Sequence, residues 1–210
     1  YLKFMSVQIT YRNIVSKKTP HNLVLFVDEK FNISVLKKHI LKSEYSLISD
    51  LIKTRDSKKK IVAFDISSKK KIILVSIKKN ISDSGVENLG GSFYDKFKDN
   101  KINDYRINSE TLTVQQKSIV GYFVHGLKLK SYVFEKYKTK TNKNNISVTI
   151  IGKNQLSTKD QIKFKAIEQG TFYARDLVSE PGNILHPDEY VKRILKLRKF
   201  GIKVTVYDKK

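Results

Sequence analysis

The sequence predicts an α/β fold: a mixed, largely parallel sheet with helices on both faces, followed by a long helix and the first elements of a second α/β unit. Three observations carry this. Apolar runs with period two, or with no polar break, alternate along the chain with segments of helical period. Apolar residues make up 40% of the 210 positions, enough for a sizeable core. Cysteine is absent, so neither a disulfide framework nor a thiolate metal site takes the place of that core.

The first strand is expected at Phe4 to Tyr11, where Met5, Val7, Ile9 and Tyr11 alternate with polar residues. Asn22 to Asp28 contains the unbroken run Leu23 to Val27, as in a strand covered on both faces. Residues 35–53 change period, with Leu36, Ile40, Leu47, Ile48, Leu51 and Ile52 at three- and four-residue steps, so one or two helices follow. Lys60 to Ile66 and Lys71 to Ile77 read as strands joined at Ser67-Ser68-Lys69, and Ile72 to Val75 is apolar enough to lie centrally. Ser82 to Gly85 opens a helix whose stripe is Val86, Leu89, Phe93 and Phe97. A short strand at Asp104 to Asn108, a helix at Leu112 to Leu129 and a strand at Ile146 to Gly152 come next.

Ser157 with Asp160 resembles a capping box and starts a long helix from Thr158 to Val178, with Ile162, Ala166, Tyr173 and Leu177 as its expected buried stripe. Pro181-Gly182 stops it. Pro187, with Asp188 and Glu189 in the first turn, starts a helix to Phe200 that Gly201 ends, and Ile202 to Tyr207 begins another strand. With no later partner for that strand, a second domain is expected to be cut off as it begins.

The net charge is +22, carried by 36 Lys and only 6 Arg. The lysines are scattered in doublets and triplets such as Lys37-Lys38, Lys58-Lys59-Lys60 and Lys69-Lys70-Lys71, mostly near expected turns. A nucleic-acid site concentrates charge on one face and favours Arg. The joint abundance of Lys, Ile and Asn, with only 3 Ala, also fits a plain compositional bias. A solvated lysine coat and a polyanion-binding surface such as DNA binding both stay open. No apolar run reaches the roughly 18 residues a membrane span needs, and a cytoplasmic protein without a membrane partner is expected.

Catalytic signatures are mostly absent from the sequence. His21, His39, His125 and His186 are far apart in sequence, and no His-Glu-x-x-His pattern, Gly-x-Ser-x-Gly elbow or P-loop occurs. Gly90-Gly91 falls inside an expected helix, where packing against a neighbour is its better explanation. No catalytic, metal-binding or cofactor-binding residue is assigned. Two segments carry more information: Gly126 to Thr139, containing Tyr132, Phe134 and Tyr137, and Ala174 to Tyr190, containing Arg175, Asp176, Glu180, Pro181 and Asn183. Read plainly, the first is an amphipathic helix end whose aromatics pack onto the sheet, and the second is a helix, a stop and a capped restart.

Together and in this order, these segments resemble the leucyl aminopeptidase (cytosol aminopeptidase) family. Its first motif reads Gly, five residues, then Tyr-x-Phe-x-x-Tyr-Lys. Its second reads Ala-Arg-Asp-Leu, then Asn-Glu-Pro-x-Asn and a Thr-Pro helix start. Ser179 stands here in place of the family's Asn, His186 in place of Thr, and Ser76 and Lys78-Lys79 in place of glycines.

The resemblance implies a macro-domain-like amino-terminal domain at 1–153, a connecting helix at 154–180 and the incomplete start of the catalytic peptidase domain at 181–210. It implies a metal-dependent aminopeptidase acting on short peptides when full length, with this part inactive alone. Two divalent metals (manganese, zinc or magnesium) and a homo-hexamer belong to the full-length enzyme, and no cofactor is expected in this part. Arg175, Asp176, Glu180, Pro181, Asn183, Tyr132, Phe134 and Tyr137 are implied to have structural, positioning roles.

Overall fold

A computed structural model of the chain describes residues 7–13, 21–112, 118–139 and 145–207. Six strands form one sheet: β1 (Val7–Arg12), β2 (Asn22–Asp28), β3 (Ile61–Ser67), β4 (Lys70–Ile77), β5 (Asp104–Asn108) and β6 (Ile146–Ile151), in the order β1-β6-β5-β2-β4-β3. Every neighbouring pair is parallel except β3 with β4, a hairpin whose register shifts between Asp65 and Ser67. Five α-helices accompany it among the described residues: α1 (Lys42–Leu51), α2 (Asp83–Phe97), α3 (Ile119–Lys130), α4 (Thr158–Ser179) and α5 (Pro187–Leu195).

Strand alternation divides the core into two layers. Val24, Phe26, Ile73, Val75, Ile107 and Val148 face α2 and α3, where they meet Phe93, Phe97, Phe123 and Leu127. Leu23, Leu25, Val27, Ile72 and Leu74 face the other way onto Leu36, Ile40 and Ile48, from the 3-10 turn Ser34–Lys38 and α1. Helices therefore cover both faces, as the apolar run of β2 predicts.

Gly90 and Gly126 let α2 and α3 cross almost in contact. A Cβ on Gly90 would lie 1.9 Å from the Phe123 carbonyl oxygen, and one on Gly126 would lie 1.9 Å from that of Glu87. The packing explanation of Gly90 holds.

α4 forms a further layer on α3. Phe164 rests edge-on against Tyr122 at 5.1 Å and fills the space over Gly121, while Lys128 pairs with the buried Glu168 at 2.8 Å.

Several elements depart from the pattern the sequence predicts. Ile72 to Val75 is fully buried, but β4 is next to the edge and β5 and β2 hold the centre. Leu112 is extended backbone that closes a 3-10 turn, and α3 begins only at Ile119; residues 113–117 lie outside the described set, as do Phe4 to Ser6 of the expected first strand. Half of the expected stripe of α4 faces solvent: Ile162 is 64% exposed and Ala166 is exposed, while Tyr173 and Leu177 are half-buried. The contact face runs through Phe164, Glu168, Phe172 and Arg175, because α3 offers α4 a lysine and aromatic edges rather than a greasy groove. The last helix ends at Leu195 and continues as a 3-10 turn to Phe200, closed by Gly201 at φ +82°. Ile202 to Tyr207 forms no strand, since no described segment offers it a ladder.

Candidate functional site

The two motif segments meet at the carboxyl end of α4. α3 stops at Lys130, and its last carbonyls need partners. The Ser131 N–H turns back to Leu127 and Lys128, at 3.2 and 3.1 Å. The Arg175 guanidinium donates to the Leu129 carbonyl at 2.5 Å, placing a cation at the negative end of the helix. The same guanidinium lies 5.5 Å from the Tyr132 ring centre. Tyr132 packs on Phe172 at 5.2 Å, and its hydroxyl donates to Asp176 Oδ1 at 2.7 Å. Burial, then the hydrogen bond to Asp176, push the Tyr132 phenol up to about 12. Residues 132–139 are therefore not a helix end packed on the sheet; they form an irregular segment laid against α4.

Glu180, at the C-cap of α4, is the centre of the junction. Its side chain is only 2% exposed. One carboxylate oxygen accepts from Arg193 Nη1 at 2.8 Å and from the Lys136 ammonium, and the other accepts from the Tyr137 hydroxyl. Burial alone would raise this carboxyl, but the bonds from Lys136, Tyr137 and Arg193 outweigh it and hold it down at about 2. Arg193 also donates through Nε to Glu189 Oε1 at 2.9 Å, and the bonds to Glu180 and Glu189 raise its guanidinium further. The same bond lowers Glu189. Tyr173 of α4 completes the tie to α5 by donating to the Arg193 carbonyl at 2.8 Å.

Thus Tyr132, Tyr137, Arg175, Asp176 and Glu180 converge, and Phe134 joins them through its ring contact with Tyr137 at 5.9 Å. Pro181 contributes its carbonyl, which accepts from Ile184 and Leu185, both at 2.9 Å, and closes the turn into α5. Asn183 stays exposed in that turn and is not brought into the cluster. Chemically the junction is a clamp. Its carboxylate is already occupied by three donors.

Among the described residues, no group of three or more His, Cys, Asp or Glu could hold a metal ion. The carboxyl ends of the parallel strands, where open α/β sheets commonly bind ligands, are tied up internally. Ser109 Oγ donates to the Ile151 carbonyl at 2.9 Å, and Thr111 Oγ1 accepts from the Phe26 N–H at 2.8 Å. Gly152, at φ +106°, lies so close to Glu110 that a Cβ there would approach Glu110 Cγ at 2.7 Å.

No protein-family profile matches the chain. A protein of Phytoplasma australiense named "Probable cytosol aminopeptidase" is 38% identical over 114 residues, covering 52% of this chain and 23% of the relative. A second of that name, from Phytoplasma mali (strain AT), is 42% identical over 94 residues, covering 41% of this chain and 19% of the relative. This chain is a relative of the cytosol aminopeptidases. The matches span about a fifth of those aminopeptidases (23% and 19%), consistent with an amino-terminal portion.

The fold agrees with the kinship to cytosol aminopeptidases. A tomato leucine aminopeptidase mutant superposes with a TM-score of 0.71 at 16% identity, covering 92% of this chain and 42% of that one. The bottromycin maturation enzyme BotP superposes at 0.60 with 12% identity, covering 87% of this chain and 38% of that one. At these identities the likeness concerns the fold. Lys136, Phe172 and Arg193 belong to the junction without standing out in the sequence, and Glu189 stands out there only as a first-turn acid. One signal was present: Glu189 and Arg193 stand four apart on α5, and Arg is scarce among the 36 Lys, so an arginine here marks a forked, directional contact.

Proposed function

We propose that this chain is the amino-terminal, non-catalytic part of a metal-dependent leucyl aminopeptidase that removes amino-terminal residues from short peptides. The 38% identity over 114 residues to a protein named "Probable cytosol aminopeptidase" carries the reading. In it, residues 1–153 form the amino-terminal domain, 154–180 the connecting helix and 181–210 the start of the catalytic domain. The clamp on Glu180 supports this division. It fixes α5, the first helix of the following unit, to the end of α4 and to the segment after α3, so the two units keep one orientation.

The outward side of α4 supports it too. Ile162, Ala166, Gly170, Ala174 and Val178 follow one another at four-residue steps and are all exposed, Val178 at 87%. Such a ridge of small and apolar side chains suits a close helix or sheet neighbour.

Two divalent ions (manganese, zinc or magnesium) would serve the full-length enzyme by activating a water for attack on the peptide bond. The side chains described here do not fit such ions, so no step of the reaction is assigned to this chain. Assembly as a homo-hexamer and a cytoplasmic location belong to the same proposal. Hydrolysis of leucine amide with added manganese tests it. The 210-residue chain should be inactive and a chain extended through the next domain active. Robust metal-dependent turnover by the shorter chain would overturn the division of labour.

A further inference from the structure

Lys58, Lys59 and Lys60 lead into β3, the edge strand of the sheet. Facing them, α2 presents Gly85, Asn88, Ser92 and Lys96, spaced so that they share one helical face. The apolar stripe of α2 (Val86, Leu89, Phe93 and Phe97) is committed to the sheet. This second face carries only small or polar groups before Lys96, and that leaves a groove of about 480 Å³ between α2 and the 58–61 segment. The size is that of a small-molecule site. Ile61 and Leu89 form its apolar floor.

The charge in the groove is one-sided. None of its lining residues is acidic. Lys59 makes an exposed pairing with Asp56 at 3.9 Å. Lys96 is held at the rim by donating to the Ile61 carbonyl at 2.8 Å. Burial, and then the charge of Lys59, lower its ammonium below the usual lysine value. Ammonium groups gathered around one concavity repel one another, and a multivalent anion between them removes that repulsion.

We propose that this groove binds a small phosphate-bearing anion, an oligophosphate or the phosphate chain of a nucleotide. Lys58, Lys59, Lys60 and Lys96 supply the charge, and the Asn88 amide supplies a directional donor. A concave wall stands opposite the triplet at 58–60.

Calorimetric titration of the 210-residue chain with tripolyphosphate at low and moderate salt tests the site. ATP in a parallel arm distinguishes the two sources: equal affinity assigns recognition to the phosphates alone, and tighter ATP binding adds the nucleoside. The expected result is one saturable site that weakens with salt and loses about tenfold in affinity with Lys60→Gln or Lys96→Gln, but not with Lys37→Gln/Lys38→Gln. Circular dichroism checks the fold of each variant, and Lys58→Gln, at an exposed position, carries the test if Lys96→Gln unfolds. A flat low-salt titration overturns the proposal. So does an equal loss in the Lys37/Lys38 variant, or binding of duplex DNA alone that ignores the groove substitutions.

Discussion

Glu180 shows how one side chain can be held charged out of water. Its carboxylate is 2% exposed, and the three donors around it come from the segment after α3 (Lys136, Tyr137) and from α5 (Arg193). Removing a donor leaves the buried carboxylate with fewer partners, whereas Lys136 and Tyr137 are about half exposed and Arg193 keeps Glu189 if Glu180 is lost. The pH dependence has a definite sign. The folded carboxyl sits at about 2, below its ordinary 4.5, so the folded state favours the charged form. Its contribution to stability is complete above about pH 5 and is lost as the pH falls toward 2. Thermal melts should therefore show Tm declining across that acid window. Glu180→Gln should lower Tm at neutral pH and flatten the same window. An unchanged acid slope in the variant would remove Glu180 as its source.

Among the elements, the α2/α3 crossing is the most demanding contact, because backbone meets backbone. A methyl on Gly126 would sit 1.9 Å from the Glu87 carbonyl oxygen, an atom that cannot swing aside as a side chain can. Gly126→Ala should destabilise the chain by about 1–3 kcal/mol through overpacking, read as a lower midpoint in urea. A loss below about 0.5 kcal/mol would mean that the helices can part without cost.

The same scale shows what the residues reveal in advance. β2 was legible because Leu23 to Val27 is covered on both faces, and α2 because its stripe and its Ser82 cap agree. The buried face of α4 was not legible. Its contact with α3 is made by Phe164, Glu168 and Arg175, with Phe172 against Tyr132 just beyond, a polar and aromatic mixture that hydrophobic periodicity does not detect. The junction was half legible: Tyr132, Asp176 and Glu180 stood out, but Lys136 was one lysine among 36 until the fold brought it to a carboxylate.

Across the whole molecule, apolar surface is distributed unevenly. The two core clusters draw on residues from Val7 to Ile151. Most large exposed apolar side chains come later, from Ile162, Ile167 and Val178 to Phe200, Ile202 and Tyr207. In the proposed aminopeptidase this is the side on which the catalytic domain follows, and Gly170 lies in the middle of the exposed ridge. Nothing stands within 4 Å of a Cβ added there. In the 210-residue chain, Gly170→Ala should therefore act only through helix propensity and stabilise by about 0.5–1 kcal/mol. In a chain extended through the next domain, the same methyl would enter a packed interface, and the gain should vanish or change sign. Melting both pairs of proteins decides the matter. A difference between the two contexts marks the ridge as the docking face of the second domain, and an equal gain in both means that this domain packs elsewhere and leaves α4 open to solvent.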